Sequence, residues 1–421
     1  MTLRPGAVVT VDIERPAVGG RMIARADGRV LLVRGAIPGE RVDARIEHVQ
    51  RQVVWADTVE VRTASPDRVA VPPGLACGGQ VLAHVAAARQ RALKAEMLAD
   101  ALRRQGRIAL DAPIDVLSGP ADGYRMRARL HLRHGALGFF DEGSHRLCDV
   151  AASRQLLSAG VEAVTGLAAA LAGAIPDLDA EIEWAEDVPG VTRVAHVSVA
   201  RARDVRALSG LAPAAGVSGL SVAAAGDPRA PVRRAWGTTR VVDHVRVGTA
   251  AAVVAHDARA FFQGNRYLLQ ALVDEVLGAL DGPVLDLYAG VGLFALAAAS
   301  AGHDVTAVEG DDVSAADLAH NAAASTRVTA VHATVEGHLA GGRGALQTVV
   351  VDPPRSGLSS DALTALLARA PARIVYVSCD PATLARDLRG CLDAGYRLEG
   401  VRGFDLFPRT GHVEAVVRLA R

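Results

Sequence analysis

The strongest constraint on the fold is a regular alternation of short apolar strands with helices that begins at residue 261. Helical periodicity covers residues 261–280, and strands alternate with helices after it. The predicted apolar strands are residues 283–288, 304–309, 327–332, 348–352 and 373–378. Parallel strands need long, usually helical connections, so this order predicts a parallel sheet with helices on both faces. A helix at 381–394 and adjacent strands at 396–404 and 411–419 complete a C-terminal doubly wound, Rossmann-like α/β domain.

The N-terminal region is predicted to contain only strands. Residues 7–62 alternate apolar and polar side chains and are interrupted by turn signals at Gly19-Gly20, Asp27-Gly28 and Pro38-Gly39. Five short strands at this spacing predict a small closed β-barrel of the oligonucleotide-binding (OB-like) kind.

The region between barrel and α/β domain is predicted to be mixed α+β. An amphipathic helix is expected at 84–106, strands around 125–132 and a second helix at 156–171, whereas the topology stays open. The predicted domains are residues 1–65, 66–256 and 257–421.

Composition excludes several classes of protein. Hydrophobic residues make up 50% of the 421 residues and charged residues 22%, as in a globular protein. Apolar runs such as 250–255 fall far short of the ~20 residues that cross a bilayer. The N-terminus lacks an apolar segment followed by a cleavage site, so a cytoplasmic location without membrane contact is expected.

Charge is unevenly distributed although the net charge is zero. Residues 191–246 carry 9 basic and 3 acidic side chains, whereas residues 281–421 carry 12 basic and 16 acidic ones. A basic middle region suits a polyanionic partner, beside a small-molecule site in the C-terminal domain. Almost all basic residues are Arg, with Lys94 the one Lys; such a bias also arises from genomic base composition.

A glycine-rich loop follows the first predicted strand of the α/β domain. It runs from Asp286 through Tyr288 to Gly290 and Gly292, at the strand end where such folds bind cofactors. Glu309 ends the next strand, where a carboxylate can accept hydrogen bonds from both hydroxyls of a ribose. The loop alone fits a dinucleotide or S-adenosylmethionine, and the alternative is a turn followed by a surface Glu.

Two further strand ends carry polar side chains. Asp352 precedes two prolines and Arg355, in a rigid turn that presents Asp352 beside the cofactor. Enzymes that methylate exocyclic amines usually have an aromatic residue where Arg355 stands, which disfavours that reaction. The alternative is a plain turn at the end of the strand.

Cys379 follows the fifth strand at the start of a helix. The helix dipole and free N–H groups are expected to lower the pKa of its thiol, which makes Cys379 a candidate nucleophile. The alternative for a single Cys is a small buried apolar residue, and Cys391, inside a helix, is interpreted in that way.

Glu414 lies in an otherwise apolar strand. If its side chain points inward, desolvation raises its pKa, as suits a general base; the alternative is an outward-facing surface Glu. Gln263, in the sequence Phe261 to Asn265 before the cofactor strand, is expected to contribute polar contacts to the cofactor.

Together these residues resemble the RNA 5-methyluridine (uracil-C5) methyltransferase family, a class I family that depends on S-adenosylmethionine. The matching segments are 261–265, 286–294, 352–357, 378–381 and 404–414. Residues 1–65 resemble the TRAM domain, an RNA-binding barrel, while the middle region matches only loosely at 124–127 and 138–140.

The resemblance implies specific roles. Cys379 adds to C6 of uracil, and Glu414 removes the proton from C5. Gln263, Tyr288, Glu309 and Asp352 contact S-adenosylmethionine. Whether the substrate is ribosomal or transfer RNA stays open, and so does the oligomeric state. No obligate protein partner is evident.

One departure from the family concerns iron. Many members with a TRAM domain bind an iron–sulfur cluster through Cys-x5-Cys-Gly-Gly-Cys and a later Cys. Val71, Gln80 and Ser153 occupy three of these places, which leaves only Cys77, and Cys148 is five residues away from the expected position. No cluster and no other metal site are therefore expected.

Two other functions stay open. An RNA-binding or chaperone protein without chemistry should have a broken Cys379, Glu414 or Asp286 loop, and none is broken. The second open function is that of a methyltransferase that acts on C5 of cytosine or on a small molecule. Cytosine-C5 enzymes of RNA usually carry Thr before the nucleophile, where this chain has Ser378, and a small acceptor does not need the barrel.

Overall fold

The computed structural model describes residues 3–72, 75, 79–141, 144–226, 230–341 and 346–421. Within these residues the strands form sheets of six, seven, two and eight strands. The same residues contain no helix with the length and apolar character of a membrane span.

The N-terminal sheet curls around its own apolar core. Its order is β1-β5-β6-β4-β3-β2, with β4 and β6 parallel and the other pairs antiparallel. The strands are β1 (Val8–Asp12), β2 (Arg15–Pro16), β3 (Met22–Ala26), β4 (Arg29–Arg34), β5 (Arg41–Val49) and β6 (Val53–Thr63). Alternate side chains such as Val11, Leu31 and Val42 are buried, as the sequence pattern predicts. The sequence predicted five strands, and the sheet has six. The additional strand is β2, which has only two residues.

A long helix joins the barrel to the C-terminal domain. α1 (Ala87–Arg104) buries Leu93 and Met97 in the barrel core, whereas Leu98 and Leu102 pack into the core of the C-terminal sheet. The short strand β7 (Val116–Leu117) then pairs with the C-terminal sheet. The predicted helix at 84–106 is confirmed, although it begins three residues later and ends two residues earlier than predicted.

The middle region is a seven-stranded sheet with two helices on one face. Its order is β10-β9-β8-β11-β12-β13-β14, and of its pairs only β12 with β13 is parallel in the part of the chain described. The strands are β8 (Arg127–Arg133), β9 (Ala136–Phe140), β10 (Leu147–Asp149), β11 (Ala180–Glu186), β12 (Arg193–Val199), β13 (Gly219–Ala224) and β14 (Arg233–Gly237). The helices are α2 (Ser158–Ala174) and α3 (Ala202–Leu208).

The C-terminal sheet has the order β19-β18-β17-β20-β21-β23-β22-β7. A two-stranded ribbon precedes it, formed by β15 (Arg240–Val247) and β16 (Ala250–Asp257). The sheet strands are β17 (Val284–Leu287), β18 (Val305–Glu309), β19 (Val328–His332), β20 (Thr348–Val351), β21 (Arg373–Ser378), β22 (Arg397–Phe404) and β23 (Glu414–Ala420). The helices are α4 (Leu269–Leu277), α5 (Leu293–Ser300), α6 (Asp312–Ala322), α7 (Val335–Gly341), α8 (Ser360–Ala368) and α9 (Pro381–Asp393). The five predicted parallel strands are confirmed, and β23 runs antiparallel to β21.

A buried ion triad ties the middle sheet to the segment before α4. Glu186 accepts hydrogen bonds from Arg193 at 3.3 Å and from Arg266 at 2.5 Å. The indole N–H of Trp184 donates to the same carboxylate at 3.1 Å. All four side chains are buried, so the carboxylate compensates two guanidinium charges that water does not reach.

We expect Glu186→Gln to lower the free energy of unfolding by about 3–5 kcal/mol, because it leaves two buried guanidinium groups without their carboxylate. Urea denaturation followed by fluorescence measures the change. Glu181→Gln, on the same strand but paired with the exposed Arg129, is the matched control and should change stability by less than about 1 kcal/mol. Equal effects of the two substitutions would contradict the role of the triad.

Candidate active site

The loop between β17 and α5 has an unusual backbone. Tyr288, Gly290 and Gly292 have φ angles of +60°, +57° and +95°. A Cβ atom on Gly292 would lie 2.8 Å from Leu318, so both conformation and space favour glycine there. The left-handed backbone of Tyr288, a non-glycine residue, costs about 1–3 kcal/mol and is typical of ligand sites.

Glu309 holds this loop in place. Its carboxylate accepts hydrogen bonds from the backbone N–H groups of Gly290 at 2.7 Å, Gly310 at 2.8 Å and Asp311 at 2.7 Å. Three of the roughly four lone-pair directions of the carboxylate are therefore used. The sequence analysis, which considered a ribose contact or a surface position for Glu309, missed this role in the loop.

Asp286 is a fully buried carboxyl group with no close hydrogen-bond partner among the described residues. Burial raises its pKa well above the ordinary value, and the charges of Asp352 and Glu309 add to this, whereas the backbone N–H of Ala295 lowers it. The sequence placed Asp286 in the loop but did not identify this acidic cluster, because Asp352 joins it from another strand.

A narrow pocket opens beside the loop. Gln263 donates to Asp352 at 3.3 Å, and Tyr288 and the exposed Phe261 lie on its walls. The structure thus brings together Gln263, Tyr288 and Asp352, three of the four predicted cofactor residues, with Glu309 behind the loop. Burial raises the pKa of Asp352 to about 7 and the pKa of Tyr288 to about 12.

Asn265, in the same segment as Gln263, bonds backbone groups rather than facing the pocket. Its amide donates to the Leu406 carbonyl at 2.9 Å, and its oxygen accepts from the N–H groups of Tyr267 and Leu268. Of the polar residues in the 261–265 segment, Gln263 therefore faces the pocket, whereas Asn265 fixes the backbone around it.

Cys379 and Glu414 lie at neighbouring strand ends. Ser378 and Ala415 are opposite each other in the antiparallel pair β21 and β23, so the next residues outward are Cys379 and Glu414. Glu414 is only 6% exposed. Burial and the charge of Asp352 raise its pKa well above the usual range, which confirms the predicted inward orientation.

The pKa of Cys379 contradicts the sequence prediction. Burial, followed by the charge of Glu414, raises the pKa of the thiol to about 11. The backbone N–H of Cys379 itself lowers the pKa only in part. The helix N-terminus is less available than expected, because the Asp380 carboxylate accepts from the N–H groups of Ala382 and Thr383 at 2.9 and 2.8 Å. The capping residue thus occupies the donors that were assigned to the thiol.

Arg355 supplies the opposing charge. Its side chain is exposed, and its guanidinium lowers the pKa of both Cys379 and Glu414. The sequence analysis used Arg355 only as an argument against amine methylation. In the structure it is a cation that favours the thiolate of Cys379.

The residues at the family's iron–sulfur positions do not fit a cluster. Gln80 and Ser153 do lie together, because the Gln80 amide donates to the Ser153 carbonyl at 2.9 Å. Neither they nor the exposed Val71 can replace a thiolate ligand. Cys77 lies outside the described residues. Those residues contain no group of three or more His, Cys, Asp or Glu side chains that could hold a metal ion.

We expect the alkylation of Cys379 by iodoacetamide to be slow at pH 7 and to rise with a midpoint near pH 11, because only the thiolate reacts. Glu414→Gln removes a charge that raises this pKa, so the midpoint should move to lower pH. Mass spectrometry of the peptide that contains Cys379 follows the reaction, with Cys379→Ser as the control for the peptide's identity. A midpoint at or below about 8.5, the value of a free thiol, would contradict the structure.

Comparison with known proteins shows which family the chain belongs to. A family model described as tRNA (Uracil-5-)-methyltransferase matches residues 342–421, and a TRAM domain model matches residues 3–59. A protein of Halomonas elongata named 23S rRNA (uracil(1939)-C(5))-methyltransferase is 35% identical, over 97% of this chain and 88% of the relative. A protein of the same name from Pseudomonas putida is 34% identical, over 96% of this chain and 92% of the relative.

A solved structure has the same fold over the whole chain. It is a Pyrococcus abyssi tRNA (uracil-54, C5)-methyltransferase in complex with S-adenosyl-L-homocysteine, with a TM-score of 0.74 and 22% identity. It covers 97% of this chain and 99% of its own. On the strength of the full-length relatives, this chain belongs to the RNA (uracil-C5)-methyltransferase family and is an enzyme that methylates uracil at C5 in RNA.

Proposed function

We propose that this enzyme methylates C5 of a uridine in 23S rRNA, with Cys379 as the nucleophile and Glu414 as the base. The observation that carries the proposal is the antiparallel pairing of β21 and β23, which sets these two residues side by side. Residues 1–65 and 66–256 hold the RNA in this proposal, and residues 257–421 carry the chemistry. The choice of 23S rRNA rests on the names of full-length relatives.

The methyl donor is S-adenosylmethionine, which supplies an electrophilic methyl group on a sulfonium ion. The pocket suits a cationic ligand, because the Asp352 carboxyl lies on its wall and the Glu309 carboxylate bonds the Gly290 N–H of the same wall. The fully buried Asp286 carboxyl near Asp352 supports the fit, since a cation nearby offsets the cost of burying it. Gln263, Tyr288, Glu309 and Asp352 are the proposed contacts.

Cys379 begins the reaction by adding to C6 of uracil. C5 of uracil is a poor nucleophile, and a thiolate bonded to C6 makes an enolate that is reactive at C5. The thiol is protonated at rest, so its proton must leave before or as the S–C bond forms. The charge of Arg355 favours the thiolate at this step.

Glu414 completes the reaction by removing the proton from C5. The electron pair of the C5–H bond then restores the C5–C6 double bond and expels the Cys379 thiolate. A carboxylate with a raised pKa is a stronger base than an exposed Glu, and burial of Glu414 provides this.

The RNA must present its uridine outside a helix. A base inside folded RNA has to be extruded before its C6 can reach a buried thiol. The barrel and the basic middle region are suited to hold phosphates and unpaired strands during this step. A uridine of tRNA is the second candidate substrate, because the matching family model is named for tRNA.

We expect Cys379→Ala to abolish turnover, because no other described thiol adjoins Glu414, and Glu414→Gln to reduce turnover by about 10²–10⁴-fold. Glu414→Gln should also accumulate an RNA–protein adduct that survives denaturing electrophoresis, since the C5 proton stays in place. Cys148→Ala, at a half-buried thiol on β10, is the matched control and should stay active. An active Cys379→Ala enzyme, or a Glu414→Gln enzyme without adduct, would contradict the assigned roles.

The substrate is tested by incubating the enzyme with methyl-labelled S-adenosylmethionine and unmodified 23S rRNA or tRNA in separate reactions. We expect label in 5-methyluridine from the 23S rRNA only, identified by mass spectrometry of nucleosides. Label from tRNA alone would replace the proposed substrate with the second candidate. Label in 5-methylcytidine would contradict the reaction itself.

A further inference from the structure

The loop between β22 and β23, residues 405–412, leads directly into Glu414. Among the described residues none donates a hydrogen bond to the Glu414 carboxyl, so its position depends on its backbone. That backbone is held on one side by the pairing of Glu414 with Phe404. On the other side it is held by the 405–412 loop, so the contacts of this loop help to set the position of Glu414.

One face of α1 holds this loop. Lys94 donates to the Asp405 carboxylate, and also to the Phe407 carbonyl at 2.9 Å. Gln90, one helical turn earlier, accepts from the Arg409 backbone N–H at 3.0 Å. Residues four positions apart lie on the same helix face, so α1 reaches the loop at both points.

The N-terminal barrel also touches the loop. Gly411 pairs with Gly19 in an antiparallel bridge, and a Cβ atom on Gly411 would lie 2.2 Å from the backbone of Gly19 and Gly20. The backbone N–H of Leu82 donates to the Arg409 carbonyl at 2.8 Å. The loop before the catalytic base is therefore held by segments more than 300 residues earlier in the chain.

Burying the charged side chain of Lys94 beside the 405–412 loop costs free energy of desolvation. Lys94 is the single lysine of the chain, and its side chain is fully buried. Burial lowers its pKa, and Asp405 opposes this. A buried ammonium paired with a carboxylate adds little net stability compared with apolar side chains of the same size, so a gain in specificity is the better explanation.

We propose that Lys94 is a positioning residue for the catalytic base, and that through it and Gln90 the seating of the barrel on α1 sets the position of Glu414. The inference rests on the proposed role of Glu414. It predicts that damage to the Lys94 contact slows proton removal from C5 more than the preceding steps.

The two steps can be measured separately. RNA with 5-fluorouridine at the target carries no C5 proton, so adduct formation on it reports thiol addition and methyl transfer only. Turnover on uridine RNA requires Glu414 as well. Lys94→Met/Asp405→Asn removes both buried charges together, which avoids an unpaired carboxylate.

For this double variant we expect turnover on uridine RNA to fall at least about tenfold, part of the 10²–10⁴-fold effect of a general base. Adduct formation on 5-fluorouridine RNA should stay within about threefold of the parent enzyme, as it should in Glu414→Gln. Gln90→Met leaves no buried charge unpaired and is the second test in case the double variant folds poorly. It should also lower turnover on uridine RNA more than adduct formation on 5-fluorouridine RNA, but to a smaller degree. Arg103→Gln, at an exposed residue of the same helix that donates to Asp100 within α1, is the matched control and should change neither rate.

Equal loss of both rates in the double variant and in Gln90→Met would overturn the inference, because it indicates a general structural role. Unchanged rates in both would overturn it as well. If Glu414→Gln itself does not lower turnover on uridine RNA more than adduct formation on 5-fluorouridine RNA, the proposed role of Glu414 fails and the inference fails with it.

A second measurement is independent of activity. Lys94 is the one lysine, so the mass of the peptide that contains it shows whether a lysine-specific acylating reagent reaches it. We expect this peptide to stay unlabelled in the parent enzyme and to be labelled in Gly411→Ala, in which the barrel contact is forced apart. An unlabelled Lys94 peptide in Gly411→Ala would overturn the link between the barrel and Lys94.

Discussion

Desolvation of carboxyl groups at the edge of the C-terminal sheet is the constraint on which the rest of the site depends. Asp286 lies near the end of β17, Asp352 directly follows β20 and Glu414 begins the antiparallel β23, and all three have raised pKa values. Their mutual repulsion suits a cationic methyl donor, keeps Glu414 basic and raises the pKa of Cys379. Arg355 offsets part of this charge without removing it.

The same crowding explains why the thiol is not activated by its helix. Asp380 caps α9 and satisfies the donors at its start, so the dipole is already compensated where Cys379 sits. The resting enzyme thus holds a protonated, half-buried thiol. Such a thiol reacts slowly with oxidants and alkylating reagents, because only the thiolate is nucleophilic.

The position of Glu414, in contrast, depends on distant parts of the chain. The loop that precedes Glu414 contacts α1, the segment around Leu82, and the barrel at Gly19. The barrel that matches the TRAM model therefore lies against the backbone that leads to Glu414.

Much of the fold could be predicted because its signals are local. The alternation of strands and helices after residue 261 depends on hydrophobic periodicity, which neighbouring residues carry. The middle sheet could not be ordered, because β8 pairs with β11 and β12 with β13 across long connections that leave no local pattern. The segments with Asp352, Cys379 and Glu414 likewise carried the family resemblance, since each adjoins a strand end. Gln263 lies in an irregular segment, because α4 begins only at Leu269 and not at residue 261 as the helical periodicity predicted.

The sequence by itself determined the candidate site residues, the strand ends that carry them and that Lys94 is the one lysine. Only the tertiary structure decided their state. The pKa of Cys379, the pKa of Asp286 and the attachment of the 405–412 loop to α1 all depend on burial and on contacts between distant residues. Electrostatic energies follow distance and dielectric in three dimensions, and these quantities are absent from the order of residues along the chain.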